Sequence, residues 1–244
     1  DQVRVDVQWA KISQVDAELA LLNKAYHTGE FDYFWLCSGQ DFPIKSTRYI
    51  ISKLSQNTSI NYLNLFDTLN YNLGRCCKYD KRNQIKFENW IISRNLFVRV
   101  LKRGYIELTG GYNKTFKIFR RNNFTGLKFY FGSQWWCLNR GMIKWIFEYL
   151  KKNPMYYKYF SKCLCPDESF FHTLVMNSPY RGTVRDYLHY IDWSEGKNSP
   201  KILTVNDIPS ILKSDKLMAR KFDIQIDSNV INEILRQVEG YVYE

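Results

Sequence analysis

The run Tyr33-Phe34-Trp35-Leu36-Cys37 carries five apolar or aromatic side chains with no charge among them and stops abruptly at Ser38-Gly39-Gln40-Asp41-Phe42-Pro43, a segment with turn chemistry. Such a short uncharged run predicts a strand buried on both faces, as in a parallel sheet covered by helices. It also puts the loop from Ser38 onward where an open α/β sheet binds ligands, beyond the carboxyl end of a strand.

Helices and further strands follow in alternation. Ser13-Gln14-Val15-Asp16 has the form of a capping box, and Leu19, Leu22 and Ala25 behind it are spaced for a helix that Gly29 closes. Residues 47–54 read as a second helix, and Ile60 to Leu65 alternates like a strand facing two environments. From Asp67 to Gly126 the sequence is irregular and predicts long loops, short strands and a lid or substrate-facing insertion. Leu127 to Phe131 reads as a strand running into Gly132-Ser133. Met142, Ile143, Ile146, Phe147 and Leu150 then share one face of an amphipathic helix. Pro166-Asp167-Glu168 opens another, with Pro at its first position and acids in its first turn. Tyr187 to Ile191 is a strand, Pro209 to Leu212 a short helix, and Asn229 to Val238 a closing helix. The pattern predicts an α/β layered fold.

Charge narrows the partners without choosing one. Lys and Arg outnumber Asp and Glu by 35 to 24, a net +11 that suits nucleic acid, an anionic membrane surface or a phosphate-rich substrate. The basic residues are scattered, with no run of five, so a solvated surface is the simplest reading. No stretch of about 18 apolar residues is present to span a bilayer. The first residues, Asp1 to Val7, alternate like a strand rather than a secretory signal, and without an initiator Met they suggest a start inside a longer chain or after a processing site. Six cysteines include no C-x-x-C pair, which argues against zinc. Cys37 and Cys137 lie in apolar runs and read as buried thiols, so a reducing compartment is expected: the cytoplasm or the cytoplasmic face of a membrane.

Three segments combine a strand end with small or polar residues, Ser38 to Lys45, Gly132 to Trp136 and Trp193 to Pro200, and a fourth, Pro166 to Thr173, adds an acidic pair. Ser38-Gly39-Gln40-Asp41-Phe42-Pro43-Ile44-Lys45, Gly132-Ser133-Gln134-Trp135-Trp136, Pro166-Asp167-Glu168-Ser169-Phe170-Phe171-His172-Thr173 and Ala219-Arg220-Lys221-Phe222-Asp223 occur in an order that resembles the core-2/I-branching β-1,6-N-acetylglucosaminyltransferases and the related peptide O-xylosyltransferases. The resemblance covers nearly the whole chain. It implies a GT-A-like fold, a mostly parallel twisted sheet flanked by helices, over a single glycosyltransferase domain spanning 1–244. It also implies inverting transfer from a UDP-sugar to a glycan hydroxyl. The family's first strand-helix unit, which helps hold the uridine, precedes the matching part. The family works without a metal-binding D-x-D, and none is present here, so neither a metal nor another cofactor is expected beside the UDP-sugar co-substrate.

The resemblance makes Glu168 the catalytic base, since an inverting transfer needs a carboxylate within hydrogen-bond reach of the attacking hydroxyl. Without it, Asp167 and Glu168 would simply complement a helix dipole. A metal-free enzyme must neutralise the departing diphosphate with fixed cations. Lys221 matches the family's lysine. The family's upstream arginine has no clear counterpart; Lys201 or Arg220 would substitute, and each of these cations could also be an ordinary surface charge. Ser38, Gly39, Asp41, Gly132 and Ser133 would line the donor pocket, although Asp41 could instead close an Asx-turn. Trp193 resembles an acceptor-side tryptophan, its alternative being ordinary core. Of Trp135 and Trp136, only one should face the site, because alternate strand residues point oppositely. His172, four positions after Glu168, reads as a packed or Glu-orienting residue rather than a second base.

N-acetylglucosamine is the expected sugar, with xylose from UDP-xylose second. A lipid-carried acceptor and peripheral membrane contact would suit the basic, aromatic surface. Two readings compete with the enzyme: a nucleic-acid-binding protein, whose affinity would fall steeply with salt, and a transferase-like fold that binds glycan without turnover. The ordered motifs favour the enzyme, and no nucleic-acid partner is expected.

Overall fold

The computed structural model describes residues 4–66, 95–111, 114–115, 126–197 and 199–239. In chain order its elements are α1 (Ser13–Thr28), β1 (Tyr33–Trp35), β2 (Asp41–Pro43), α2 (Thr47–Ser55), β3 (Asn61–Leu63), α3 (Leu96–Leu108), β4 (Trp136–Asn139), α4 (Arg140–Lys152), α5 (Pro154–Phe160), α6 (Phe170–Met176), β5 (Val184–Arg185), β6 (His189–Ile191), α7 (Ile208–Lys213), β7 (Met218–Arg220) and α8 (Val230–Glu239), with a 3-10 turn at Pro166–Glu168 before α6. They fall into two compact units, residues 1–30, 65–134 and 142–182, and residues 31–64, 135–141 and 183–244.

The first unit is mainly helical. α1 ends at the expected Gly29, but its capping box does not form: the Ser13 hydroxyl accepts the Gln8 N–H and Asp16 takes the Tyr157 hydroxyl. The predicted face of α4 is inside, with Met142, Ile143 and Ile146 buried. Aromatic rings make the α5–α6 contact. Tyr156 packs on Phe160 and Phe170 at 4.7 and 5.1 Å, and its hydroxyl donates to the Phe170 carbonyl at 2.7 Å. That bond satisfies the one polar atom that burying Tyr156 would otherwise orphan.

Two expectations fail in this unit. Leu127 to Phe131 is extended but not part of a ladder, because side chains of α6 take its backbone bonds. Tyr130 N–H donates to Thr173 Oγ1 and Lys128 N–H to Asn177, which returns a bond to the Lys128 carbonyl. The irregular stretch contains α3, missed because Gly104 and β-branched residues weaken its helix propensity; Cys76-Cys77 and most of the same stretch lie outside the described residues.

The second unit holds both described sheets. One has the order β1-β4-β3-β5, the other β2-β7-β6. The expected mostly parallel sheet is not what forms: β1–β4, β3–β4 and β2–β7 are antiparallel, whereas β3–β5 and β6–β7 are parallel. The α/β class stands and the sheets are mixed. β1 is an edge strand with only Phe34 fully inside, while Tyr33 and Trp35 keep partial access to water. Uncharged aromatics with polar tips can therefore sit at an edge that composition alone reads as interior. Conversely, β3 is buried at all three positions, because Asn61 satisfies its amide internally, accepting the Asn139 N–H and donating to Thr183.

Helices α7 and α8 cover the three-stranded sheet through Ile208, Ile211, Val230 and Ile234, packed with Ile44, Ala219 and Phe222. Burial of each such aliphatic side chain contributes roughly 1.5–3 kcal/mol. This packing fixes β7, the strand that carries Arg220 and leads into Lys221.

Candidate active site

Arg220 and Asp41 are register partners on β7 and β2. The Arg220 Nη1 lies 3.2 Å from Asp41 Oδ1, and the side chains are 11 % and 0 % exposed. The other carboxylate oxygen accepts the Ser38 N–H at 2.6 Å. Asp41 therefore closes the Ser38–Asp41 turn, the Asx-turn alternative weighed for it, and also lies against the Arg220 cation. Arg220 is not a surface charge. Its guanidinium carbon is 3.8 Å from the Trp135 ring centre, a stacked cation–π contact. Burial lowers its pKa and Asp41 opposes that shift, so the guanidinium remains charged.

His189 sits against the same pair, boxed by the rings of Trp35, Trp135 and Tyr187. Its Nε2 is 3.9 Å from Asp41 Oδ2, too far for a hydrogen bond. Burial, then Arg220 and Lys216, push its pKa down to about 3, so the ring is neutral at physiological pH. The Cys37 thiol completes the group. The residue is exposed rather than buried as expected, because it lies past the end of β1, and desolvation of its sulfur followed by Asp41 pushes the thiol up to about 12. Cys37, Asp41 and His189 offer ligand atoms within 4.8 Å of one another. Arg220 already neutralises the carboxylate at that point, and its fixed positive charge opposes a divalent ion there.

Trp136 is fully buried while Trp135 faces Arg220, so the two indoles divide as alternation requires. Gly39 is exposed, and the space where a side chain would stand is empty. Lys221 follows directly. Its carbonyl accepts the Leu203 N–H, and the next N–H, of Phe222, donates to the Gln40 carbonyl, which ties this backbone to the Ser38–Asp41 turn. The Lys221 side chain is half-buried and meets no carboxylate among the described residues. Lys201 differs: its ammonium is spent on Asp207. Against a desolvation that raises it, hydrogen bonds from Lys201 and Thr204 hold the Asp207 carboxyl below its usual range. Trp193 is not core. It is 53 % exposed, on a loop closed by the Lys201 N–H bond to the Asp192 carbonyl.

The other predicted residues belong to the first unit. Pro166–Glu168 is a 3-10 turn, entered through the left-handed Cys165 (φ 48°) and separated from α6 by Ser169, rather than the first turn of one continuous helix. Glu168 is half-buried, its carbonyl accepting the Gly132 N–H at 3.0 Å. The next residue, Ser133, is pinned by fully buried His172, whose Nε2–H donates to the Ser133 carbonyl at 2.9 Å. Burial takes His172 down to about 4, with the Ser133 bond opposing. His172 is therefore neutral and packed, and it orders the Gly132-Ser133 loop beside Glu168. Sequence reading missed Glu18. It is buried on α1, and its carboxyl is raised well above the ordinary range by desolvation and then by Asp167. Asp167 itself accepts Gln14 Nε2. Burial at position 18 carries no sequence signal, because Glu is expected outside.

With the sites described, the comparisons with known proteins decide the family. The profile described as Core-2/I-Branching enzyme matches residues 2–213. The chain belongs to the core-2/I-branching enzyme family. The matched span includes Ser38 to Lys45, Gly132 to Trp136 and Glu168, and stops short of Lys221. A β-glucuronosyltransferase of Arabidopsis thaliana is 30% identical over 131 residues, covering 50% of this chain and 29% of the relative. Xylosyltransferase 1 of Rattus norvegicus is 24% identical over 236 residues, 87% of this chain and 25% of the relative, and a xylosyltransferase of Drosophila pseudoobscura pseudoobscura is 24% identical over 238 residues, 88% and 23%. The chain thus spans between about a quarter and a third of the length of these relatives. Within this core-2/I-branching member, the conspicuous residue that sequence reading did not assign is His189; its signal was a lone imidazole inside a strand otherwise flanked by Tyr187 and Tyr190.

Proposed function

We propose that this core-2/I-branching chain is a glycosyltransferase segment that moves a sugar, N-acetylglucosamine in the first instance, from a UDP-sugar to a glycan hydroxyl with inversion and without a metal. Lys221 is the observation that carries the reading. It is a half-buried ammonium without a carboxylate partner among the described residues, held by backbone bonds next to an Arg220 whose charge Asp41 already neutralises. A cation left uncompensated in this way suits an anionic group, and a nucleotide diphosphate supplies one.

In this reading Glu168 takes the proton of the acceptor hydroxyl as its oxygen attacks the anomeric carbon. The bond from that carbon to the phosphate oxygen breaks, and its electron pair leaves with UDP, whose charge Lys221 meets. Arg220 positions the Ser38–Asp41 turn and Trp135 rather than supplying the second diphosphate cation, and Trp193 offers an exposed indole face to the acceptor sugar. His189 and His172 are neutral and structural.

The test is UDP release in EDTA from a panel of UDP-N-acetylglucosamine, UDP-xylose and UDP-glucuronate. The last two follow the names of the relatives. Turnover is expected with one donor above the others. Glu168→Gln should lower kcat by roughly 10²–10⁴-fold while UDP still binds. Unchanged turnover in that variant removes Glu168 as the base, and a glycan-binding protein that never releases UDP removes the enzyme.

A further inference from the structure

We infer that Glu18 is a positioning residue for Glu168: as a buried acid it donates a hydrogen bond to Asp167 and so fixes the Pro166–Glu168 turn on α1. That the turn carries the base rests on the transferase reading; the clamp itself does not. The turn is tied to the N-terminal segment at two further points. The Cys165 N–H donates to the Ala10 carbonyl at 3.0 Å, and Asp167 Oδ2 accepts Gln14 Nε2 at 3.2 Å, while Gln14 Oε1 takes the Ala10 N–H at 2.8 Å. Glu18 stands one helical turn beyond Gln14, on the inner face of α1 with Val15 and Leu22. It is 5 % exposed, and Asp167 is 4 % exposed.

A carboxylate can only accept hydrogen bonds. Among the described residues, neither a hydrogen-bond donor nor a cation meets the buried Glu18 Oε2. α5 faces α1 with Tyr157, whose hydroxyl bonds Asp16, and α4 faces it with Phe147, which packs on Tyr26. The charge that bears on Glu18 is the like charge of Asp167. An ionised Glu18 would therefore be desolvated, uncompensated and repelled. Protonation removes all three costs, because the acid is neutral, its O–H is a donor, and Asp167 supplies the acceptor.

The clamp reaches the base through the backbone. Glu168 follows Asp167 directly, and its carbonyl accepts the Gly132 N–H at 3.0 Å. Holding Asp167 thus holds Glu168 and, through it, the start of the Gly132-Ser133 loop. The Gly132 amide reports whether the turn is in place.

The experiment compares the full wild-type chain with Glu18→Gln and Glu18→Leu. At neutral pH the infrared difference between wild type and Glu18→Gln should contain the C=O band of a protonated carboxyl; an ionised-carboxylate band in its place overturns the inference, and this arm stays decisive should Glu18→Leu misfold. By amide hydrogen exchange, Gly132 should exchange at least about tenfold faster in Glu18→Leu. Glu18→Gln, whose amide N–H replaces the acid O–H toward Asp167, should restore its protection. In UDP release, Glu18→Leu should lower kcat about ten- to a hundredfold with the donor KM unchanged, and Glu18→Gln should recover most of that loss. Equal Gly132 protection in all three chains overturns the inference, as does a leucine variant with wild-type kcat. Should the wild type release no UDP, the transferase reading falls, and the infrared band and the Gly132 exchange still decide the clamp.

Discussion

Arg220 meets Asp41 across the β2–β7 ladder with 3.2 Å between guanidinium nitrogen and carboxylate oxygen, and both side chains are nearly withdrawn from water. A buried pair of this kind is costly to break, because removing one partner strands the other's charge. A cation already matched by a carboxylate is a poor candidate for a diphosphate, and in the proposed reading Lys221 takes that role.

Arg220→Met should therefore act first on folding. The variant is expected to lose about 3–5 kcal/mol in urea unfolding, the scale for one-sided removal of a buried charge. Adding Asp41→Asn should recover part of that loss. Equal stability of wild type and Arg220→Met would mean that Asp41 is solvated in solution.

Lys221→Ala should leave the melting temperature nearly unchanged, because its ammonium makes no ion pair to lose among the described residues. UDP affinity by calorimetry in EDTA should fall about ten- to a hundredfold, the worth of a hydrogen bond to a charged group. Unaltered affinity would count against a diphosphate role.

Trp193→Ala separates acceptor from donor. The indole is 53 % exposed, so stability should change by less than about 0.5 kcal/mol. The KM for acceptor should rise with the KM for donor unchanged. A rise in the donor value instead would move Trp193 to the other substrate.

Acid sensitivity should track His189. Its folded pKa of about 3 lies below the ordinary 6.5, so between these values the unfolded chain binds the extra proton and stability falls as the pH falls. Relative to His189→Phe, wild type should lose about 1.4 kcal/mol per pH unit through that window. Glu18→Gln should behave oppositely. The raised Glu18 carboxyl makes the folded state the proton binder, so wild type weakens relative to this variant as the pH rises above the ordinary Glu value. Denaturation midpoints measured at several pH values check both signs.

Much of the organisation was legible in the chain itself. The 3.6-residue spacing of Met142, Ile143 and Ile146 gave α4 its inner face, Gly29 gave α1 its end, and alternation at Trp135-Trp136 anticipated that the two indoles would point in different directions. These are local periodicities, and backbone geometry enforces them whatever the rest of the molecule does. The turn chemistry of Ser38 to Asp41 was legible in the same way, with the Asp41 carboxylate accepting the Ser38 N–H. Strand direction, by contrast, has no local code: Tyr33 to Trp35 pairs antiparallel at an edge because β4 lies beside it. Whether Leu127 to Phe131 joins a ladder was settled by the nearby Thr173 and Asn177 side chains, which satisfied its backbone first. Which of the neighbours Arg220 and Lys221 meets a carboxylate was decided the same way, since the β2–β7 register sets Asp41 against Arg220.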